Sequence, residues 1–423
     1  MFKTIIRTAM LATALISTSA FAKETIAWWD FLGGGDGVRM KQLISDFNKA
    51  HTDKIEIQAT TLEWGVPFYT KVQTSVAVGE APDMMTYHAS RIPLAVKQGL
   101  LQQITPDDFK AMDLSQKDYA AATWDAVTID NKQYAVPLDT HPIVLYYNKD
   151  ILAKAGLLGA DGKPTGLDGA DNFKAALGKA KAAGAKYGIA GVTADGSFMY
   201  RTIYSLMCQQ GGELYTNGKF LDGDNPAKLA KALATIADWT KSGLQPGYTD
   251  YPSTVALFTS GQAAFMINGV WEVPTMTDLK KNGKLFEWGA IELPKLFDKK
   301  CTYADSHTFA IPANKGKTMT PEKHAAVLEA ISWMAHHSLF WATAGHIPAY
   351  LPVTQSAEFK AMEPNATYAP VTANLIFDPK TPLAGVAGPI FNVMSTYFVP
   401  AQNGELDPNE AVKKIKDELN NLQ

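Results

Sequence analysis

Aromatic side chains stand beside carboxylates and imidazoles at several places along the chain. The instances are Trp29-Asp30, Tyr87-His88, Asp139-Thr140-His141, Trp271-Glu272 and Asp305-Ser306-His307. A sugar needs this mixture, because the C–H face of its ring stacks on an indole while carboxylates accept hydrogen bonds from its hydroxyls. A phosphate calls instead for arginine and lysine, and Arg91 and Arg201 are the only arginines near these positions. The pattern therefore favours a carbohydrate site.

The motifs of most catalytic sites are absent from the sequence. It contains no Gly-x-Ser-x-Gly, no His-Glu-x-x-His and no Cys-x-x-Cys pattern. Gly316-Lys317-Thr318 ends like a phosphate-binding loop, but Ile311 stands where the first glycine is required. His336 and His337 are neighbours on a predicted helix and point about 100° apart, which makes them a poor metal pair. We expect no covalent chemistry, no cofactor and no metal site, although paired carboxylates leave a glycoside hydrolase open as an alternative.

Length and composition are those of a globular protein with more than one core. The chain has 423 residues, of which 46% are hydrophobic and 19% charged, and this length exceeds what one core normally covers. Acidic residues outnumber basic ones, 42 against 39, which argues against a nucleic-acid partner. Cys208 and Cys301 can pair in an oxidising compartment, but their spacing does not show whether they do.

The start of the chain has the pattern of a secretory signal. Lys3 and Arg7 give a basic beginning, residues 10–16 are apolar, and Ala20-Phe21-Ala22 forms a small-x-small cleavage site. We expect residues 1–22 to be a signal peptide cleaved after Ala22, and the mature protein to be periplasmic. The residue directly after the cleavage site is Lys23 and not a cysteine, so we do not expect a lipoprotein.

The N-terminal part alternates strands and helices. Residues 23–31 and 54–62 predict strands that are each followed by a helix, and residues 81–87 predict a third strand. This alternation is typical of a parallel sheet with helices on both faces, in which ligands lie at the carboxyl ends of the strands. Those ends carry Trp28-Trp29-Asp30, Trp64 and Tyr87-His88. The glycine-rich turn at residues 33–37 adds free amides that can meet ligand hydroxyls.

Two later stretches position further candidate residues. Residues 134–138 and 143–147 predict strands, and the polar break between them, residues 139–142, indicates a chain crossing between two lobes. An apolar strand at residues 263–267 leads toward Trp271, which we expect on the wall of a cleft.

Four stretches carry a resemblance to a known family. They are "GEAPDMMTYHASR", "YAVPLDTHPIVLYYNKDILAKAGL", "ALFTSGQAAFMINGVWEVP" and "GHIPAY". In this order, after a signal peptide, the chain resembles the extracellular solute-binding proteins of ABC-type sugar importers, of the maltodextrin- and glucose-binding type. The resemblance implies an α/β, two-lobe periplasmic-binding-protein fold, in which each lobe is a mainly parallel sheet flanked by helices and the lobes are joined by hinge crossings.

The resemblance also implies lobe boundaries and partners. After the signal peptide, we expect an N-terminal lobe of residues 23–138 and 305–350 and a C-terminal lobe of residues 139–304 and 351–423. A sugar binds in the cleft as the lobes close. The closed form, a monomer, docks on an inner-membrane permease that is coupled to a cytoplasmic ATPase.

Ligand contacts are implied position by position. Trp28-Trp29 matches an aromatic pair at the first strand end, Tyr200-Arg201 an aromatic platform, and Trp271 the stacking tryptophan of the second lobe. Together with the residues singled out above, the expected substrate-binding set is Trp28, Trp29, Asp30, Trp64, Tyr87, His88, Arg91, Asp139, His141, Tyr200, Arg201, Trp271, Glu272, Asp305, His307 and His346.

The bulk of these side chains predicts the size of the ligand. Trp28, Trp29, Trp64 and His88 would crowd a cleft, which favours a neutral mono- or disaccharide, glucose-like or a glucoside, over a long chain. Two alternatives stay open at this point. One is a receptor for a charged solute such as a glycerol phosphodiester, and the other is a secreted glycoside hydrolase.

Overall fold

The computed structural model describes residues 23–423, so the expected signal peptide and its cleavage site lie outside the described residues. The strands are β1 Glu24–Asp30, β2 Ile55–Thr61, β3 Met84–His88, β4 Thr128–Ile129, β5 Lys132–Gln133, β6 Val136–Pro137, β7 Asp139–Asn148, β8 Tyr187–Ala190, β9 Tyr215–Thr216, β10 Lys219–Phe220, β11 Ala263–Gly269, β12 Trp288–Ile291, β13 Thr302–Asp305, β14 His307–Ala310, β15 Ile347–Pro348 and β16 Leu375–Ile376.

Helices cover much of the remaining chain. The α-helices are α1 Gly34–Ala50, α2 Val66–Val78, α3 Ile92–Lys97, α4 Pro106–Ala111, α5 Ala121–Ala126, α6 Lys149–Lys154, α7 Ala170–Ala182, α8 Gly196–Gln209, α9 Asn225–Lys241, α10 Tyr251–Thr259, α11 Val273–Lys281, α12 Pro321–His336, α13 Ser338–Trp341, α14 Leu351–Thr354, α15 Ala357–Lys360, α16 Asn365–Tyr368, α17 Pro389–Gln402 and α18 Pro408–Asn421. Short 3₁₀ turns occupy Ala89–Arg91, Gln116–Asp118, Val270–Glu272, Ala342–Ala344 and Ala369–Ala373.

The first sheet has the order β2-β1-β3-β14-β6. Strand β1 runs parallel to β2 and β3, whereas β14 runs antiparallel to β3 and β6. Helix α1 buries Met40, Leu43 and Phe47 at helical spacing, and α2 ends at Gly79, whose φ of 72° is in the left-handed region that glycine adopts readily. The predicted β-α alternation of this part of the chain is confirmed.

The second sheet is built around β7, every residue of which is buried. Strands β11, β12, β13 and β15 all pair with β7 in antiparallel fashion, while β8 runs parallel to β11 and β16 parallel to β13. The α/β class is confirmed, but the expectation of mainly parallel sheets is wrong. The reason is that the long central strand β7 pairs with antiparallel strands along its length. Both sheets are mixed.

The chain passes between the sheets at several points. Strand β6 belongs to the first sheet, and β7, which begins after one intervening residue, belongs to the second. Strand β13 belongs to the second sheet, and β14, again after one intervening residue, belongs to the first. Strand β15 pairs with the first two residues of β7. The predicted break at residues 139–142 is therefore the beginning of β7, where these residues pair with β13 and β15 instead of forming a loop.

The last two features of the fold are the state of the cysteines and the hydropathy of the helices. Cys208 of α8 and Cys301, next to β13, form a disulfide, which settles the pairing that spacing left open. Across residues 23–423, none of the helices combines the length and the apolar character needed to cross a membrane.

Candidate functional site

A cavity of about 700 Å³ lies between elements that pack around the first sheet and elements that pack around the second. Its lining comes from the ends of β1, β2 and β3 on one side and from α8, α10 and the turn after β11 on the other. The lining residues are Phe31, Leu32, Gly33, Gly34, Gly35, Asp36, Thr61, Leu62, Glu63, Trp64, His88, His141, Asp195, Ser197, Phe198, Arg201, Tyr251, Trp271, Glu272, Thr275 and His307. Of the expected set, the cavity thus brings together Trp64, His88, His141, Arg201, Trp271, Glu272 and His307.

Trp271 is held in place by a short chain of hydrogen bonds. Its Nε1 donates to the Tyr251 hydroxyl at 2.8 Å, and that hydroxyl donates to Glu272 Oε1 at 2.5 Å. Burial raises the pKa of Tyr251 well above its usual value and also raises the pKa of Glu272. The indole packs back on Gly269, where any Cβ would occupy the position of the ring. The Asn-Gly at the end of β11 therefore leaves room for the tryptophan.

Three imidazoles form one wall of the cavity. The ring centres of His141 and His307 lie 4.3 Å apart, and that of His88 lies 5.1 Å from His307. Phe31 stacks on His88 with centroids at 4.5 Å and nearly parallel planes. Burial lowers the pKa of His141 to about 3, and burial likewise holds the pKa of His88 well below its usual value. The imidazoles of His141 and His88 are therefore neutral at physiological pH.

Asp139 lies directly behind this wall. Its carboxylate accepts from His141 Nδ1 at 3.0 Å, from His307 Nδ1 at 2.8 Å and from Trp341 Nε1 at 2.7 Å. Burial alone would raise the pKa of Asp139, but the imidazoles of His307 and His346 and the hydrogen bond from His141 hold it well below its usual range. The carboxylate is therefore ionised and fully occupied by donors.

His346 connects this carboxylate to the cavity. Its Nε2 lies 3.0 Å from Asp36 Oδ2 and its Nδ1 lies 3.4 Å from Asp139 Oδ2. Burial lowers the pKa of His346, but the two carboxylates outweigh that effect and raise it. Neither Asp139 nor His346 lines the cavity; both support it from behind.

The three residues of β1 that were expected to contact the ligand lie on two different faces of the strand. Trp28 is wholly buried in the core, where its Nε1 donates to Thr86 Oγ1 at 3.1 Å. Trp29 points to the other face, with the Lys71 ammonium 5.7 Å from its ring centre. Asp30 is buried and accepts from the Leu32 amide at 2.9 Å. None of these three residues lines the cavity, and Phe31, which follows β1, lies there instead.

Two further expected contacts belong to the packing behind His88. Tyr87 is buried, and burial raises its pKa to about 12. The Arg91 guanidinium lies 4.4 Å from the ring centre of Tyr69, and the Tyr69 hydroxyl lies 2.5 Å from His88 Nδ1. Tyr69 and His88 therefore stand between Arg91 and the cavity, and Arg91 itself does not line it.

Tyr200 and Asp305 are likewise outside the cavity lining. The Tyr200 hydroxyl donates to Asp378 at 2.5 Å, and burial, with Asp305 nearby, raises the pKa of Asp378 to about 7. Asp305 accepts from the amide of Ser90 at 3.0 Å. These residues join segments of the two sheets near the crossings.

Several lining residues were not expected from the sequence. Asp195 and Phe198 follow β8, and the rule that ligands meet the carboxyl ends of parallel strands would have found them. Asp36 lies in the first turn of α1, within the glycine-rich stretch that was expected to offer only its amides. Tyr251 opens α10 after the cap Asp250, and no local signal relates it to Trp271, twenty residues later.

A family model described as bacterial extracellular solute-binding protein matches residues 42–369. The galactooligosaccharide-binding protein of Bacillus subtilis (strain 168) is 26% identical over 298 residues, which cover 66% of this chain and 62% of that protein. The lactose-binding protein of Rhizobium radiobacter is 26% identical over 309 residues, covering 70% and 67%. The match spans 49% of the maltodextrin-binding protein MdxE of B. subtilis, about half its length.

Solved structures share the fold across nearly the whole chain. The GacH receptor of Streptomyces glaucescens GLA.O superposes with a TM-score of 0.78 at 18% identity, covering 95% of this chain and 98% of that one. Maltose-bound MalE3 of T. maritima gives a TM-score of 0.78 at 22% identity, covering 94% and 100%. The predicted two-lobe periplasmic-binding-protein fold is confirmed.

We expect the free energy of unfolding to fall as the pH is lowered from about 6.5 toward 3. The folded pKa of His141 is about 3, whereas an unfolded imidazole titrates near 6.5. Between these values the unfolded chain binds more protons, so acid favours unfolding. Urea midpoints across this range measure the effect. His141→Gln flattens the profile and His337→Gln, at an exposed position, does not; equal slopes in all three proteins would contradict the assignment.

Proposed function

Because the chain belongs to the bacterial extracellular solute-binding protein family, we propose that it is the substrate-binding receptor of an ABC importer. It captures a neutral mono- or disaccharide, glucose-like or a glucoside, and delivers it unchanged to an inner-membrane permease with a cytoplasmic ATPase. In this proposal the protein is a periplasmic monomer, secreted through a signal peptide cleaved after Ala22, without a lipid anchor, a cofactor or an enzymatic activity.

The observation that carries this proposal is the position of Trp271. Its partly exposed ring faces the cavity beside Glu272, and the opposite side offers Trp64, which is 48% exposed. Indole faces next to hydrogen-bond acceptors suit the C–H faces and hydroxyls of a sugar ring. The names of the galactooligosaccharide- and lactose-binding relatives support the same ligand class.

The charges of the cavity argue against an anionic ligand. Four carboxylates contribute to the lining, those of Asp36, Glu63, Asp195 and Glu272, whereas Arg201 is the one lysine or arginine among the lining residues of the described chain. A site for a phosphodiester would be lined by more lysines and arginines than carboxylates. The Arg201 guanidinium donates to the Ser197 carbonyl at 2.8 Å and lies 5.1 Å from the Phe391 ring centre, so part of its donor capacity serves the protein itself.

Closure of two lobes supplies the mechanism. We place the lobes at residues 23–138 with 305–350 and at residues 139–304 with 351–423. Lining residues come from both, so a ligand gains contacts on closing and shifts the balance by its differential affinity for the closed form. Gly35 approaches Pro274 across the mouth, and Arg39 lies 3.6 Å from Asp278.

A thermal-shift screen of residues 23–423 tests the proposal. Monosaccharides, disaccharides, polyols and glycerol phosphates are compared, because a ligand at 100 times its dissociation constant stabilises by about 2.7 kcal/mol. Stabilisation by a neutral sugar is the expected result. A response to glycerol phosphates alone would establish the charged-solute alternative, and turnover of an aryl glycoside would establish a hydrolase.

Trp271→Ala is expected to weaken binding of the sugar found in the screen by about 2 kcal/mol or more, because it removes one stacking face. Gly269→Ala is expected to weaken it as well, since the new methyl group displaces the indole. Isothermal titration measures both. Tyr248→Ala, at an exposed aromatic outside the cavity lining, serves as the control. Unchanged affinity in Trp271→Ala would remove this residue from the site.

Gly35→Leu is expected to hold the lobes apart. A Cβ at position 35 would lie 2.5 Å from the Pro274 Cβ, so a larger side chain obstructs the contact that the closed mouth requires. We expect at least a tenfold loss of sugar affinity, about 1.4 kcal/mol, and a larger radius of gyration with saturating sugar. Gly178→Leu in α7, where a Cβ meets nothing within 4 Å, is the matched helical control. Equal affinities in the two variants would refute the closure contact.

A further inference from the structure

The protons of two cavity imidazoles are fixed by one carboxylate. Asp139 accepts from Nδ1 of His141 at 3.0 Å and from Nδ1 of His307 at 2.8 Å. An ionised carboxylate only accepts hydrogen bonds, so both Nδ1 atoms must carry hydrogen. In a neutral imidazole the other nitrogen is then a bare acceptor. His141, which is neutral, therefore presents an Nε2 lone pair, and His307 in its neutral form does the same.

These two lone pairs are open to the cavity. Both residues line it, and within residues 23–423 the hydrogen bonds of both rings are made through Nδ1. They are also absent from the buried side-chain atoms that lack partners in that part of the chain. The acceptors are therefore accessible to a ligand.

The third imidazole of the wall has the opposite polarity. The Tyr69 hydroxyl lies 2.5 Å from His88 Nδ1, and burial raises the pKa of Tyr69 well above its usual value. The phenol keeps its proton and can donate it to Nδ1. Neutral His88 then carries its hydrogen on Nε2, which makes that atom a donor toward the cavity.

We propose that Asp139 and Tyr69 are positioning residues that make the His88–His141–His307 wall present one donor and two acceptors, so that it selects hydroxyl groups of the ligand and rejects an anionic group at this place. The inference rests on the proposed sugar receptor and deepens it. A hydroxyl both donates and accepts, so a run of sugar hydroxyls satisfies all three imidazoles. A carboxylate or phosphate has no hydrogen for the two acceptors.

The cost of an anion here follows from the same contacts. It would face two lone pairs, and relief would require adding protons to His141 and His307 inside a buried site. A buried polar atom without a partner destabilises the complex, because it has lost its hydrogen bonds to water and gained none in return. Sites built around a ligand hydroxyl discriminate strongly against analogues that cannot make its hydrogen bonds.

Nitrogen-15 NMR of histidine in the mature chain tests the proton positions without any ligand. We expect Nδ1–H tautomers for His141 and His307 and an Nε2–H tautomer for His88, with signals assigned through single His→Gln variants. An Nε2–H tautomer or an imidazolium at His141 or His307 near neutral pH overturns the proposal. Correct tautomers with no saccharide bound in the thermal screen would overturn the proposed function instead.

Two variants test whether the positioning residues act through the imidazoles. Asp139→Asn keeps the shape of the side chain but replaces one acceptor with an amide donor, so one of the two imidazoles is expected to change tautomer. Tyr69→Phe removes the donor to His88 Nδ1, so the His88 signal is expected to change while His141 and His307 keep theirs; this variant serves if Asp139→Asn does not fold. Tautomers that stay as in the wild type in a folded variant would reduce that residue to a structural role and overturn the proposal.

Selectivity gives an independent readout. D-Glucose and D-glucuronate are the probes if glucose is the sugar found in the screen, and otherwise that sugar and its uronic acid. The wild type is expected to prefer the neutral probe at least tenfold, and Asp139→Asn is expected to narrow that ratio. Preference for the uronic acid, or an unchanged ratio in a folded Asp139→Asn variant whose tautomers have changed, overturns the inference.

Discussion

The buried carboxylate of Asp139 is the interaction on which the rest of the structure depends. It begins β7, accepts the ring and backbone N–H of His307 from β14 at 2.8 and 2.9 Å, and accepts Trp341 Nε1 at 2.7 Å. These donors lie 168 and 202 residues from Asp139 in the sequence. A charge removed from water is costly unless it is fully hydrogen-bonded. The carboxylate therefore requires that the crossing segments meet in one arrangement, and it fixes the imidazoles of the cavity wall at the same time.

Much of the frame could be predicted because it rests on local patterns. The alternation of β1, α1, β2, α2 and β3 follows from periodic apolar residues and from Gly79. Trp271 could be placed because a buried strand leads to it. The mixed sheets could not be predicted, because strand direction depends on how distant segments pair with β7. Trp28 and Trp29 were expected at the same ligand site. They are neighbours in a strand, however, and so cannot share a face.

The candidate site could be predicted only in part, since its geometry comes from long-range contacts. No spacing shows that Asp139 reaches Trp341, or that Tyr251 joins Trp271 to Glu272. Sequence reasoning placed Asp139, Arg91 and His346 among ligand contacts, whereas the structure places them behind the residues that line the cavity. Their residue types suit either position, because a carboxylate serves equally well as the acceptor of a sugar hydroxyl or of an imidazole N–H. Which of the two it accepts is decided by the fold.

The contacts that cross the cavity mouth bear on how a receptor of this kind would respond to its ligand. Arg39 and Asp278 form a partly exposed ion pair at 3.6 Å, with the aspartate side chain 58% exposed, and such pairs contribute about 0–1 kcal/mol. The approach of Gly35 to Pro274 buries little surface because glycine has no side chain. Closure without ligand is therefore only weakly favoured by these contacts. Trp271 on one lobe and His88 on the other gain a common partner only when a ligand bridges them, so under the proposed function the ligand itself supplies most of the free energy that closes the cleft.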